Sequence, residues 1–141
     1  LTVGLWADLP ELNHFQLSIS DVITFHNYDD AASLEKQIET LQTAGRPVIC
    51  TEWMARTLGA KYETELPLFK EEKVACYNWG LVNGRGQFQF SWSSKRGAPE
   101  PKVWFHDLFH QDGKPYAPEF YFPISRAMLM VSAAIAALAI A

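Results

Sequence analysis

Three short apolar runs recur along this chain at nearly equal intervals, and each ends in polar or aromatic side chains: DVITFHNY at 21–28, RPVICTEW at 46–53 and KVACYNWG at 73–80. From Val22 to Pro47 is 25 residues, and from Pro47 to Val74 is 27. That interval has room for a strand, a helix and two turns, so the rhythm predicts β/α units and a parallel sheet. A fourth run, LTVGLW at 1–6, reads as a strand ahead of the others. The predicted strands cover 2–6, 22–28, 47–52 and 74–79. They are apolar on both faces, as strands of a buried parallel sheet are.

The segments between the strands support this. Within 31–44, Leu34, Ile38 and Leu41 fall at i, i+4 and i+7, which gives one apolar stripe on a helix. Asp29, Asp30 and Ser33 offer capping oxygens before it, and Gly45 sits where a helix stop is expected. A shorter helix is expected at 65–72. Beyond Trp79 come a Gly-rich loop at 83–86, a further short helix at 102–110 and a turn at 111–115.

Composition narrows the function classes. With 48% hydrophobic and 20% charged residues, the 141-residue chain is globular. A net charge of -4 and the lack of any basic cluster exclude a typical nucleic-acid partner. Five tryptophans call for a large core or a stacking surface. Cys50 and Cys76 fall inside strands and read as small buried hydrophobes that do not pair. No zinc-type cysteine spacing occurs, and neither a metal nor an organic cofactor is expected.

The chemistry gathers at the strand ends. Strand alternation puts Glu52 on one face with Cys50 and Val48, His26 and Tyr28 with Thr24 and Val22, and Trp79 with Tyr77 and Ala75. Adjacent strand ends then present His26, Tyr28, Glu52 and Trp79 around one cavity. A glycosidase would use such a group: a carboxylate to attack or stabilise an oxocarbenium-like centre, a tyrosine hydroxyl to keep it ionised, and an indole under the sugar ring.

The segments LTVGLW, SDVITFHNYD, GRPVICTEWMAR, VACYNWGLVNG and PKVWFHDLFHQDGKPY, which together cover most of residues 1–116, resemble the C-terminal part of cellulase-like (β/α)8-barrel glycoside hydrolases of bacteria. The resemblance implies an α/β fold made of the fifth to eighth strands of a TIM barrel, with residues 1–122 as a partial hydrolase domain. Glu52 aligns with the catalytic nucleophile. Tyr28 aligns with a position contacting that nucleophile, and His26 and Asn27 with substrate contacts. Trp79 aligns with the aromatic floor of the site, while Asn78, Trp6 and Trp53 are candidates for the cleft wall. Residues 104–109 look like a final, structural helix despite His106 and Asp107.

The family's acid/base glutamate follows an asparagine on the fourth strand, and no Asn-Glu pair occurs in this sequence. Glu11, Glu63, Glu65 and Glu100 lie in loops or short helices and have no evident claim to that role. The implied partners are a carbohydrate and the missing N-terminal half of the barrel. The chain opens on Leu1, already inside a strand, so a truncated N-terminus is expected. The tail 123–141 matches nothing in the family, and 127–141 is almost wholly apolar. A membrane anchor, an interface helix and a segment foreign to the domain all fit it. Bacterial cytoplasm, secretion and membrane association stay open.

Overall fold

A computed structural model describes residues 1–6 and 8–117, so the apolar tail lies outside the described residues. Strands and helices alternate in the order β1 (Gly4–Leu5), α1 (Pro10–Ile19), β2 (Ile23–His26), α2 (Ala31–Gln42), β3 (Val48–Trp53), a 3₁₀ turn (Arg56–Leu58), α3 (Tyr62–Glu71) and β4 (Ala75–Asn78). The strands form one four-stranded parallel sheet in the order β1-β2-β3-β4. Two compact units divide the chain: Leu1–Tyr77, which carries almost all of the sheet, and a second that begins at Asn78.

α2 forms as its stripe dictates, with Leu34, Ile38 and Leu41 buried. The Asp30 carboxylate accepts from the Ser33 amide at 3.0 Å and caps the first turn. Gly45 takes φ +65 after the last turn, a conformation that costs glycine little. α3 starts three residues earlier than its apolar pattern suggests, at Tyr62, and tolerates Pro67 in its interior.

α1 carries an apolar stripe, Leu12, Phe15 and Ile19 at i, i+3 and i+7, that the reading of the sequence passed over. None of its residues is buried, and Leu9 and then Leu12, Phe15 and Ile19 stand exposed along it. Pro10 at the first position and Glu11 in the first turn start it. Its last carbonyls are satisfied by Arg46, whose Nη1 donates to Leu17 O at 2.7 Å and Ser20 O at 2.5 Å.

Register corrects the strand alternation. Ile23, Thr24 and Phe25 pair with Val48, Ile49 and Cys50, but His26 then pairs with Glu52. Thr51 is therefore an extra residue on β3, and its hydroxyl donates to Phe25 O at 3.3 Å. Such a bulge turns every following side chain to the other face. Val48 and Cys50 stay with Ile23 and Phe25 in the core, whereas Glu52 joins His26 and Thr24 on the opposite face.

In the second unit the helix expected at 102–110 is absent: the segment is a series of bends. Its amides are taken by distant carbonyls. Phe105 N donates to Gln89 O, His106 N to Phe88 O, and Leu108 N and Phe109 N to Leu81 O. Burial of Trp104, Phe105, His106, Asp107 and Leu108 fixes that path, with Trp104 stacked on Tyr116 at 4.5 Å between ring centroids.

Candidate functional site

The carboxyl ends of parallel strands are where ligand sites of α/β sheets form. Three strands of the first unit deliver four predicted residues there. His26 closes β2, Tyr28 follows it by two residues, Glu52 lies near the end of β3, and Trp6 follows β1. The bulge at Thr51 is what brings Glu52 to this face.

One oxygen of Glu52 is the hub. The Tyr28 hydroxyl donates to Oε2 at 2.6 Å, and His26 Nδ1 lies 3.2 Å from the same oxygen. Burial, followed by the hydrogen bond to and the charge of Glu52, holds the Tyr28 phenol well above its ordinary pKa. Tyr28 is thus a fixed donor and not a titrating group. The Glu52 carboxylate makes no further hydrogen bond among the described residues, and about a quarter of the side chain, 26%, is exposed. The carboxylate is aimed and still accessible.

Trp6 forms the wall. Its ring lies 5.4 Å from that of His26 and 6.3 Å from that of Tyr28, nearly perpendicular to the latter, yet 64% of the residue is exposed. An indole anchored along one side and open along the other can stack on a ring-shaped ligand.

Two predicted contacts are used elsewhere. Trp53, 1% exposed, packs against Tyr62 at 4.8 Å and Phe69 at 5.0 Å between ring centroids, under α3, and cannot line a cleft. The bulge explains this too, since it sends Trp53 to the helix side as it sends Glu52 to the site. Asn27 is buried and internally engaged: its Nδ2 donates to Gln37 Oε1 at 2.7 Å, and its Oδ1 accepts from Asp29 N at 3.0 Å. It braces the turn behind Tyr28 and presents nothing to a ligand.

Trp79 and Asn78 belong to the second unit. Trp79 is part-exposed and packs edge-on against Phe88 at 5.5 Å. Asn78 Nδ2 donates to Trp79 O at 3.2 Å and to Gly80 O, which holds a tight turn. Gly80 takes φ +86, and a Cβ there would meet His106 Cβ at 2.9 Å. Only glycine fits that turn without displacement.

Glu65, which has no evident role in the sequence, proves to be buried. It lies on α3, 0% exposed, and neither carboxylate oxygen has a hydrogen-bond partner. Burial, then Asp30 and Asp29, push its pKa up to about 8. Its signal was present: Tyr62, Glu65 and Phe69 fall at i, i+3 and i+7, which puts the carboxyl on the inward stripe. Burial likewise raises both thiols, Cys50 far above its usual range and Cys76 to about 12.

A scan against protein-family models gives no match to this chain, and neither does a search of curated proteins.

Proposed function

We propose that this chain is the second half of a (β/α)8-barrel retaining glycoside hydrolase acting on β-linked poly- or oligosaccharides, with Glu52 as its nucleophile. The observation that carries this reading is the Glu52 carboxylate, held on Oε2 by Tyr28 and His26 at the end of a parallel strand. The Tyr28 hydroxyl donates to that oxygen and fixes the direction of the carboxylate. The rest of the carboxylate is left to approach an anomeric carbon.

Two further features support the reading. The β1-β2-β3-β4 order, each strand next to its sequence neighbour, is the order of a barrel wall. The exposed apolar face of α1 beside the end strand β1 is what a preceding β/α unit would cover.

In this mechanism Glu52 attacks the anomeric carbon and the leaving oxygen departs with a proton. Water then releases the sugar from the glycosyl-enzyme. Retaining chemistry needs a second carboxyl about 5–5.5 Å from the first. The preceding half of the barrel supplies that acid/base, so this chain alone is inactive. Trp6 stacks on the sugar.

The test is Glu52→Gln in the protein isolated as its full-length form. Turnover of aryl β-glycosides should be lost while oligosaccharide binding is largely kept. Near-normal turnover removes Glu52 from the role. The second reading is a non-catalytic carbohydrate-binding or scaffold remnant that keeps the aromatic cleft, and a fourth strand without an Asn-Glu pair upstream of this sequence would favour it. It is favoured if the full-length wild type binds sugar without hydrolysing any glycoside.

A further inference from the structure

The Gly-rich loop of the second unit takes no part in the chemistry proposed above, yet it opens on Asn83-Gly84, the one Asn-Gly pair in the sequence. An asparagine side chain can close a ring onto the backbone nitrogen that follows it. Glycine is the residue that hinders this least, because it has no Cβ to crowd the nitrogen or to restrict the backbone.

The fold holds the base of this loop and leaves that nitrogen open. Val82 bridges to Phe109, and Asn83 N donates to Phe109 O at 2.8 Å. Gly84 O accepts from Gln87 N at 3.1 Å. Between these two bonds, the Gly84 N–H and the Asn83 side-chain amide make no hydrogen bond among the described residues. Both residues are part-exposed, so water reaches them. Beyond its chain neighbours, a Cβ on Gly84 would meet only Val82 O, at 3.8 Å.

The comparable positions are tied down. Asn27 and Asn78 precede the bulky Tyr28 and Trp79. Their side chains are engaged by Gln37 and Asp29 N, and by the carbonyls of Trp79 and Gly80. Asn13 sits inside α1, ahead of His14, on helical backbone. Asp112-Gly113 is the nearest chemical counterpart, since aspartate also cyclises onto a following glycine, and it is held at every atom that matters. Gly113 N donates to His110 O at 2.9 Å, Asp112 Oδ1 accepts from Lys114 N at 3.0 Å, and Asp112 Oδ2 pairs with Lys114 Nζ at 2.6 Å.

We propose that Asn83 is a self-modification site, which deamidates onto Gly84 in the folded protein and becomes a mixture of aspartate and isoaspartate. Gly84 N gives its proton to hydroxide and forms a bond to Asn83 Cγ. The Cγ–Nδ2 bond breaks, and Nδ2 leaves as ammonia with a proton taken from water. Water then opens the resulting cyclic imide. Opening at Cγ gives aspartate, and opening at the main-chain carbonyl gives isoaspartate. Either product adds a negative charge close to Arg85 in the chain. Isoaspartate also lengthens the backbone by one carbon between the bond to Phe109 and the 84–87 turn. The step needs only water and hydroxide, and it does not depend on the hydrolase reading.

The experiment ages the protein in mildly alkaline native buffer and, in parallel, in guanidinium chloride. Isoaspartate is mapped by peptide mass spectrometry and by enzymatic methylation of isoaspartyl carboxyls. In native buffer it should accumulate at 83 and not at 112, whereas in guanidinium chloride both positions react. Gly84→Ala has room for its Cβ on backbone that is not left-handed, and it should lose most of the native reaction at 83. Three results overturn the proposal: position 83 intact in native buffer while the unfolded chain reacts there, equal isoaspartate at 83 and 112 in native buffer, or a Gly84→Ala rate equal to that of wild type. If Gly84→Ala does not fold, hydroxylamine decides, because it cleaves cyclic imides. It should split native wild type between 83 and 84. No cut there, under conditions that cut the unfolded chain, overturns the assignment.

Discussion

Tyr28 donates its hydroxyl proton to Glu52 at 2.6 Å across two neighbouring parallel strands, and the bulge at Thr51 makes that bond possible. Without the extra residue Glu52 would point into the core beside Cys50. Tyr28→Phe should therefore cost about 1.5–3 kcal/mol of stability, as expected for a part-buried hydrogen bond to a charged acceptor. Deletion of Thr51 should cost more, because it turns a carboxylate inward. Chemical denaturation of both variants checks the order.

The two tryptophans nearest the site should behave oppositely. Trp53→Ala empties a core position and should cost about 3–5 kcal/mol with no specific loss of sugar affinity in whatever folds. Trp6→Ala, at an exposed position, should change stability by about 0.5 kcal/mol or less and weaken oligosaccharide binding. Unfolding curves and calorimetric titration of each variant separate the two roles.

That contrast marks how far the sequence was legible. Strand spacing, the α2 stripe and the capping oxygens of Asp30 are local signals, and the parallel sheet followed from them. His26, Tyr28 and Glu52 were legible because they close two of the three similar runs. The face of Glu52 was not, since alternation counts residues and a bulge adds one that only the partner strand reveals. Trp53 was misplaced by the same residue. The α1 stripe of Leu12, Phe15 and Ile19 was present in the sequence and passed over, and the structure leaves it exposed. The segment 102–110 reads as helical by composition, but its amides go to Leu81, Phe88 and Gln89, partners that no local pattern names.

Helix α1 should be the least protected helix of the first unit. Its exposed Leu12, Phe15 and Ile19 gain little from folding, whereas α2 buries three aliphatic side chains. Amide exchange in this chain should be fast in α1 and slow in α2. If a preceding β/α unit covers the Leu12, Phe15 and Ile19 stripe, as the proposed barrel requires, α1 exchange should slow markedly in a longer protein that contains it.

Both cysteines should resist alkylation while the chain is folded. Burial pushes the Cys76 thiol to about 12 and Cys50 higher, so the reactive thiolate is scarce at pH 8.5. Iodoacetamide at that pH should modify neither in native buffer and both in guanidinium chloride, as read by intact mass. Rapid labelling of either thiol in native buffer would show that its strand opens.

The most direct measurement of the central assignment is covalent trapping of the nucleophile. The full-length protein is incubated with activated 2-deoxy-2-fluoro-β-glycosides, which form a glycosyl-enzyme faster than water releases it, and the labelled peptide is mapped by mass spectrometry. If Glu52 is the nucleophile, the sugar is found on the peptide containing Thr51-Glu52-Trp53, and Glu52→Gln abolishes the label. A label on any other carboxylate, or hydrolysis in which the anomeric configuration is inverted, contradicts the assignment.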